Sequence, residues 1–565
     1  MYNSALAPGL RKVQFVKQEN LKTSAWFRPE IIVQISATLL VYQLLWLVQQ
    51  TLGRLPESSY SQPWISAEVI RNIFSGDVVR QVPGRSIGAL GFFAVTFAIF
   101  AGTAFKYRQI IRPLPLSWRQ ASKSKSLKRL IMLPVVLITW LSVTYQFNLY
   151  YEQGHYFDRV LLVVFAALVY WRPLFLVPFL VLVTAIYSQF LHPFPANPGW
   201  YEPSVLIRAL TLFTATIVLP IGTRKESNNT FFFLLVCLLA ASYWKSGTGK
   251  FFWLSHPHLN LLTLGAYANQ WLGFLHPATI VAIVKAIGIA SIPMMAFAFC
   301  LELGSISVGW SKRWLCMFLV GFISFHIGVF ATTGMFFWKW ILFEVAFLFV
   351  LKSDKKNHWC FFSRCHFIVS VLLILTCSLW ANPRNLSWYD TPLTYRCEID
   401  AIGESGNHYR LKTSCFEPYR DYFTLRPIEH LSEHPQLTSI WGITSNRKLA
   451  GEIVGLTNLA EVEALENESG TVFANENNAE KFDRFVTRFF GAHNRIGKMD
   501  SIWSHLKTPP HLWTIDNPDR HSDLPEEQIQ RIEVIQKTYL FDGEEFACIR
   551  TREIHSVDIP LSTRQ

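Results

Sequence analysis

Up to about residue 382 the chain alternates long apolar runs with short polar stretches; beyond it the runs shorten and polar residues interleave with them. The apolar windows fall at 31–52, 88–105, 130–150, 155–171, 174–190, 204–222, 230–244, 279–302, 314–330, 337–351 and 366–381. A hydrocarbon layer of about 30 Å takes about 20 helical residues, because irregular backbone would leave its N–H and C=O groups unpaired in lipid. The pattern therefore predicts about eleven spanning helices, the fourth and fifth meeting in a tight hairpin at Arg172-Pro173. In the tail, alternation at 394–401 and 408–415 brackets the polar turn Glu404-Ser405-Gly406-Asn407, and 532–540 with 545–554 brackets Asp542-Gly543. Both read as hairpins, and 481–490 reads as an amphipathic helix. The expected fold is an α-helical polytopic membrane bundle followed by a small β-rich α+β extracytoplasmic domain, divided at 1–30, 31–382 and 383–565.

Composition supports lipid as the solvent: 51% of residues are apolar, with 45 Phe and 20 Trp, and only 16% are charged. The formal charge of +12 is unevenly distributed. After Asn382, 20 Lys and Arg face 28 Asp and Glu, which leaves 32 against 12 before it. The positive excess lies in short loops beside apolar runs, where it orients helices, and this argues against a nucleic-acid partner. Residues 106–129 hold eight basic residues and no acidic one, so that loop is placed in the cytoplasm. Arg224-Lys225, Lys312-Arg313 and the 352–364 loop then fall on the same side. The basic N-terminus lacks a compact apolar stretch followed by a small-residue cleavage site and is expected to stay cytoplasmic, with the tail outside. Outside, a hairpin setting Cys397 opposite Cys415 would permit a disulfide; two buried thiols are the other reading.

Ionisable groups at membrane depth are expensive unless paired, so each is a functional candidate. Lys250 follows the seventh window in Tyr243-Trp-Lys-Ser-Gly247-Thr-Gly249-Lys250-Phe-Phe-Trp253, a small-residue break between aromatic flanks that admits close approach. His155 begins the fourth window at its outer end, and His326 lies about 18 Å along the ninth. Lys285 and Glu344 could neutralise one another, and His256-Pro-His258 is a weak metal candidate. Each has a plainer reading: a snorkelling lysine, an interfacial or packing histidine, a structural pair.

At these residues the chain resembles the HTTM (horizontally transferred transmembrane domain) family, the group of the vitamin K-dependent gamma-glutamyl carboxylases. Residues 243–251 resemble its Y-x-x-A/S-G-x-x-K-L/F segment, Gly154-His155-Tyr156-Phe157 its His-led helix, and Phe325-His326-Ile327 with Gly334-Met335-Phe336-Phe337-Trp338 its His-started helix and Gly-Met-Phe turn. The resemblance implies that Lys250 is the base that deprotonates a reduced, vitamin K-like quinone, and that His155 and His326 hold quinone oxygens or a developing oxyanion. Tyr243, Gly247 and Trp253 would line the cofactor site. Oxygenation would then generate a stronger base, which removes a carbon-bound proton from a glutamate of a secreted peptide before CO2 adds. The sequence departs from the carboxylase pattern at Gly249, where a second lysine is expected, and its tail has no recognisable propeptide-binding surface. A non-enzymatic membrane maturation or assembly partner for a secreted client, and a transporter built on Lys285 and Glu344, are the competing expectations.

Overall fold

The computed structural model describes most of residues 29–52, 117–253, 261–353, 362–425 and 428–561. The N-terminal segment 1–28, the window at 88–105, His256 and His258 lie outside the described residues. The other ten windows each overlap a helix. In chain order these are α1 (Pro29–Leu52), α2 (Lys125–Thr144), α3 (Tyr156–Trp171), α4 (Leu176–Gln189), α5 (Ser204–Val218), α6 (Arg224–Thr248), then α8 (Pro277–Gly304), α9 (Lys312–Thr333), α10 (Trp338–Ser353) and α11 (Arg364–Leu375), with the short α7 (Leu261–Ala268) between α6 and α8.

Five of these helices, α1, α2, α6, α8 and α9, are long and apolar enough to cross a membrane. Their surroundings differ. In α6 the run Phe231–Ala241 is buried on every side, and Phe213, Phe231, Phe232 and Phe347 form a chain of ring contacts through it. In α8 the exposure is apolar: Ile289 is 89% exposed and Ile292 66%. A helix apolar all round is stable only against protein or lipid, so α6 is the bundle's centre, and the exposed apolar surface of α8 is of the kind that suits lipid. Helix ends are capped where sequence allows: Ser124 accepts from Leu127 N–H, Ser311 from Trp314 N–H and Ser363 from His366 N–H.

The tail contains a four-stranded antiparallel sheet in the order β2-β1-β3-β4: β1 (Leu393–Gly403), β2 (His408–Arg410), β3 (Ile529–Phe541) and β4 (Phe546–Asp558). The expected second hairpin is β3–β4, with Gly543 at φ 101° in its turn, a conformation that favours glycine. The expected amphipathic helix extends over Glu476–Ile496 (α12) and packs Phe482, Phe485, Phe489 and Phe490 against Ile399, Ile532 and Val534 of the sheet. That core also takes in Tyr150, Tyr151 and Phe194 from the loops of the helical part; Phe194 stacks on Tyr422 at 3.9 Å and Tyr150 on Phe485 at 5.4 Å.

The first hairpin differs from expectation. Strand β2 spans only three residues, paired as Asp400↔Arg410 to Ile402↔His408, and the chain turns away into a 3-10 turn at Thr413–Phe416 that carries Cys415. Cys397 pairs in register with Gln536 of β3. Both cysteines are thiols, so the structure contains no Cys397–Cys415 bridge. The physical reason is register: a strand that ends at residue 410 cannot carry Cys415 to a site opposite Cys397.

Candidate functional site

Helix α6 ends in small residues, and this lets a neighbour come close. A Cβ on Gly247 would stand 2.9 Å from Glu302 Cβ and 3.0 Å from Leu303 Cδ2, so only glycine admits the end of α8 at this distance. Beyond α6 the chain closes two short turns, Lys250 N–H to Gly247 O (3.0 Å) and Trp253 N–H to Lys250 O (2.9 Å). They fold Lys250 back over the helix end, where its Nζ donates to Glu302 Oε1 at 2.5 Å. Lys250 and Glu302 are 4% and 1% exposed. The ammonium also lies 5.0 Å from the Trp253 ring and 5.5 Å from that of Phe325. The Trp253 indole in turn donates to Trp388 O of the tail.

One turn back along α6, Tyr243 stacks on Phe322 of α9, ring centroids 3.6 Å apart. Its hydroxyl lies 2.7 Å from His326 Nε2 and donates to Glu344 Oε1 at 2.5 Å, tying α6 to both α9 and α10. The carboxylate pair and the histidine each leave one atom without a hydrogen-bond partner: Glu302 Oε2, Glu344 Oε2 and His326 Nδ1. A buried polar atom left unpaired costs about 1–3 kcal/mol, so three at one place mark a ligand or proton site better than they mark packing.

The tail roofs this cluster. Residues 506–513 run across the α9–α10 turn, bridging Leu512 to Met335; Phe336 N–H donates to His511 O (2.7 Å) and Trp513 N–H to Gly334 O (3.0 Å). The Trp338 indole donates to Pro509 O (3.0 Å). Gly334 is doubly required, by its φ of 73° and because a Cβ would stand 2.9 Å from Trp513 O. Phe337 lies between two histidine rings, His326 at 4.8 Å and His511 at 4.9 Å. A cavity of about 30 Å³, room for water, adjoins the strap and is lined by Tyr145, Lys339, Arg420, Asp421, Thr508 and His511.

The three proposed reactive residues are therefore not equivalent. Lys250 and His326 share a neighbourhood through Phe325, and the charge of Lys250 acts on His326. His155 is buried in a different polar cluster, with Gln189 Nε2 3.4 Å from its Nδ1, Asp158 at 4.0 Å and the Tyr151 ring edge-on. None of those groups is among the described partners of Lys250 or His326. Tyr243, Gly247 and Trp253 all lie at the Lys250 site, each in a definite role: hydroxyl bridge, close approach and aromatic wall. Lys285 and Glu344 do not pair: Glu344 is taken by Tyr243, whereas Lys285 is exposed in the first turns of α8 and acts on Asp542 of the β3–β4 turn. The sequence reading missed Glu302, the sole acid of α8, which stood as the end of an apolar window rather than as a partner.

Among the described residues no three His, Cys, Asp or Glu side chains gather to hold a metal ion. A reduced quinone would meet in this cluster the rings of Trp253 and Phe325, the ammonium of Lys250 that Glu302 already holds, and the unpaired atoms Glu302 Oε2, Glu344 Oε2 and His326 Nδ1, whereas the Phe322 ring is covered by Tyr243. No protein-family profile matches the chain, and neither the curated proteins nor the solved structures contain a match to it.

Proposed function

We propose that this chain is a multi-pass membrane protein of about eleven spanning helices, with its N-terminus in the cytoplasm and its tail outside, that carries a quinol-linked site of the HTTM, carboxylase-like type and modifies a secreted peptide. One observation carries the reading: four helices, α6, α8, α9 and α10, converge an ammonium, two carboxyls, a phenol and an imidazole in an apolar bundle. Groups so costly to bury are retained where they move charge.

Lys250, His326 and Glu302 would hold the hydroxyls of a reduced quinone, which when bound supplies an acidic O–H and reducing equivalents. The lysine acts through its partner. A proton moved from Lys250 Nζ to Glu302 Oε1 leaves a neutral amine beside a neutral carboxyl, so the pair stays charge-balanced while the amine gains a free lone pair. His326 is fixed by Tyr243 and presents Nδ1 as the remaining polar atom. The tail's strap covers the α9–α10 turn beside His326, and the burial of these groups strengthens each of their electrostatic contacts.

The test is formation of quinol-dependent product in membrane vesicles, followed by mass spectrometry, for Lys250→Ala beside the native protein. Loss of product is expected; unchanged product would overturn the assignment. A second reading, a non-enzymatic maturation partner for a secreted client, is favoured by the apolar clusters in which the tail packs against loops and helix ends of the helical part, and it predicts that Lys250→Ala leaves client maturation intact.

A further inference from the structure

The Tyr243 hydroxyl has one proton and two partners. Given to Glu344 Oε1, that proton leaves the phenol oxygen as the acceptor, so His326 must approach it with Nε2–H; the other ring nitrogen, Nδ1, is then a bare lone pair. That nitrogen is buried and unpartnered, as is the second oxygen of Glu344, which is 0% exposed. The geometry defines one hydrogen-bonded line with an open acceptor at one end and a carboxylate at the other.

From this we infer that Tyr243, His326 and Glu344 form a proton relay ending in a buried proton store. A proton taken up at His326 Nδ1 releases the Nε2 proton to the Tyr243 oxygen, and the phenol proton passes to Glu344 Oε1. One proton enters and none leaves; three N–H or O–H bonds form, at Nδ1, at the phenol oxygen and at Glu344, and two break, at Nε2 and at the phenol. Tyr243 and His326 both end neutral, and the single change is that Glu344 goes from carboxylate to carboxylic acid. Reversal returns the proton to Nδ1.

The 2.7 Å and 2.5 Å separations are hydrogen-bond contacts of the kind across which protons transfer without rearrangement of heavy atoms. The stacking of Tyr243 on Phe322 and the burial of all three side chains hold the line in one geometry and exclude water from bypassing it. The charged and titratable groups that face it are Lys250 at the end of α6, Glu302 on α8 and His511 on the tail's strap. Lys250 and His511 act on the His326 end, where a proton would arrive. The relay stands without any quinone, so it survives or fails independently of the proposed activity.

Infrared difference spectroscopy on the full chain in lipid vesicles tests it, by following the carbonyl stretch of protonated buried carboxyls through a pH series and after transfer to D2O. The expected result is a titrating carboxyl band that is lost in Glu344→Gln, moves in frequency in Glu344→Asp and persists in Glu302→Gln. In Tyr243→Phe, which keeps the ring stack, the D2O shift of that band should be lost over the interval in which the native protein completes it. A band that survives Glu344→Gln, disappears in Glu302→Gln, or exchanges at the native rate in Tyr243→Phe would overturn the relay. Should Glu344→Gln fail to fold, Glu344→Asp and Tyr243→Phe decide the matter.

Discussion

Two buried carboxylates in this chain meet cations in opposite ways. In the tail, Glu398 is surrounded by Arg396 at 3.4 Å, Arg410 at 3.0 Å and Lys537 at 2.8 Å. Burial alone would push its carboxyl up, but the three cations hold it below the usual carboxylate range. In the bundle, Glu302 has Lys250 alone, and its second oxygen has no partner. An acid with three cations is locked in one charge state and serves structure. An acid with one cation and an open oxygen can exchange its proton or accept a ligand, which is why we propose the functional site at Lys250 rather than in the more highly charged tail.

The contrast can be broken at its strongest point first. Removing one member of a buried pair leaves an uncompensated charge, so Lys250→Ala or Glu302→Ala should destabilise the bundle by about 3–5 kcal/mol, measured by thermal unfolding in detergent. The double replacement with Met should recover most of that loss; additive losses would mean that the two groups are not coupled. Next is the joint between bundle and tail. A Cβ on Gly265 of α7 would stand 2.2–2.4 Å from the backbone of Trp441, and backbone cannot yield as a side-chain end can. Gly265→Ala should therefore loosen the tail by roughly 2–3 kcal/mol, seen as faster amide exchange in 388–444 with α6 unchanged. Uniform protection would show that the contact is not structural.

How much of this the sequence disclosed depends on distance along the chain. Helices were legible because an apolar run of bilayer length is a local property, and the β3–β4 hairpin because Asp542-Gly543 marks its own turn. Lys250 was legible through the small residues before it. Partners were not. Nothing local to α8 tells that Glu302 faces Gly247, 55 positions earlier, or that the first turns of α8 pack on Phe541 and Phe546 of the tail, which takes Lys285 away from Glu344. The β1–β3 pairing, Cys397 to Gln536, is equally remote. His511 belongs to a tail segment to which no pattern in the sequence assigns a partner, although it sits against the α9–α10 turn.

Asp390 sharpens the comparison from within the tail, because among the described residues no cation pairs with it. Its carboxyl faces the Leu262 amide in the first turn of α7 and the Trp388 indole without closing a full bond to either, and burial pushes it up to about 7 from 3.8. Folded, the group binds more protons than unfolded between those values. Its contribution is thus complete below about pH 4 and is lost as pH rises towards 7. The tail's thermal stability should fall by roughly 4 kcal/mol across that window, and Asp390→Asn should flatten the slope. An unchanged slope in the variant would assign the dependence elsewhere.

The smallest effect concerns the two cysteines. A disulfide closing the Cys397–Cys415 loop would contribute roughly 3 kcal/mol, and reductant would remove it. With Cys415 in a 3-10 turn and the Cys397 thiol pushed up, by burial first and by Glu429 and Glu398 beside it, both should stay reduced and unreactive while the tail is folded. Reductant should therefore shift the tail's stability by less than about 0.5 kcal/mol. Alkylation after unfolding without reductant should label both residues, and a cross-linked peptide pair in the mass spectrum would restore the bridge that the register of β1 and β2 denies.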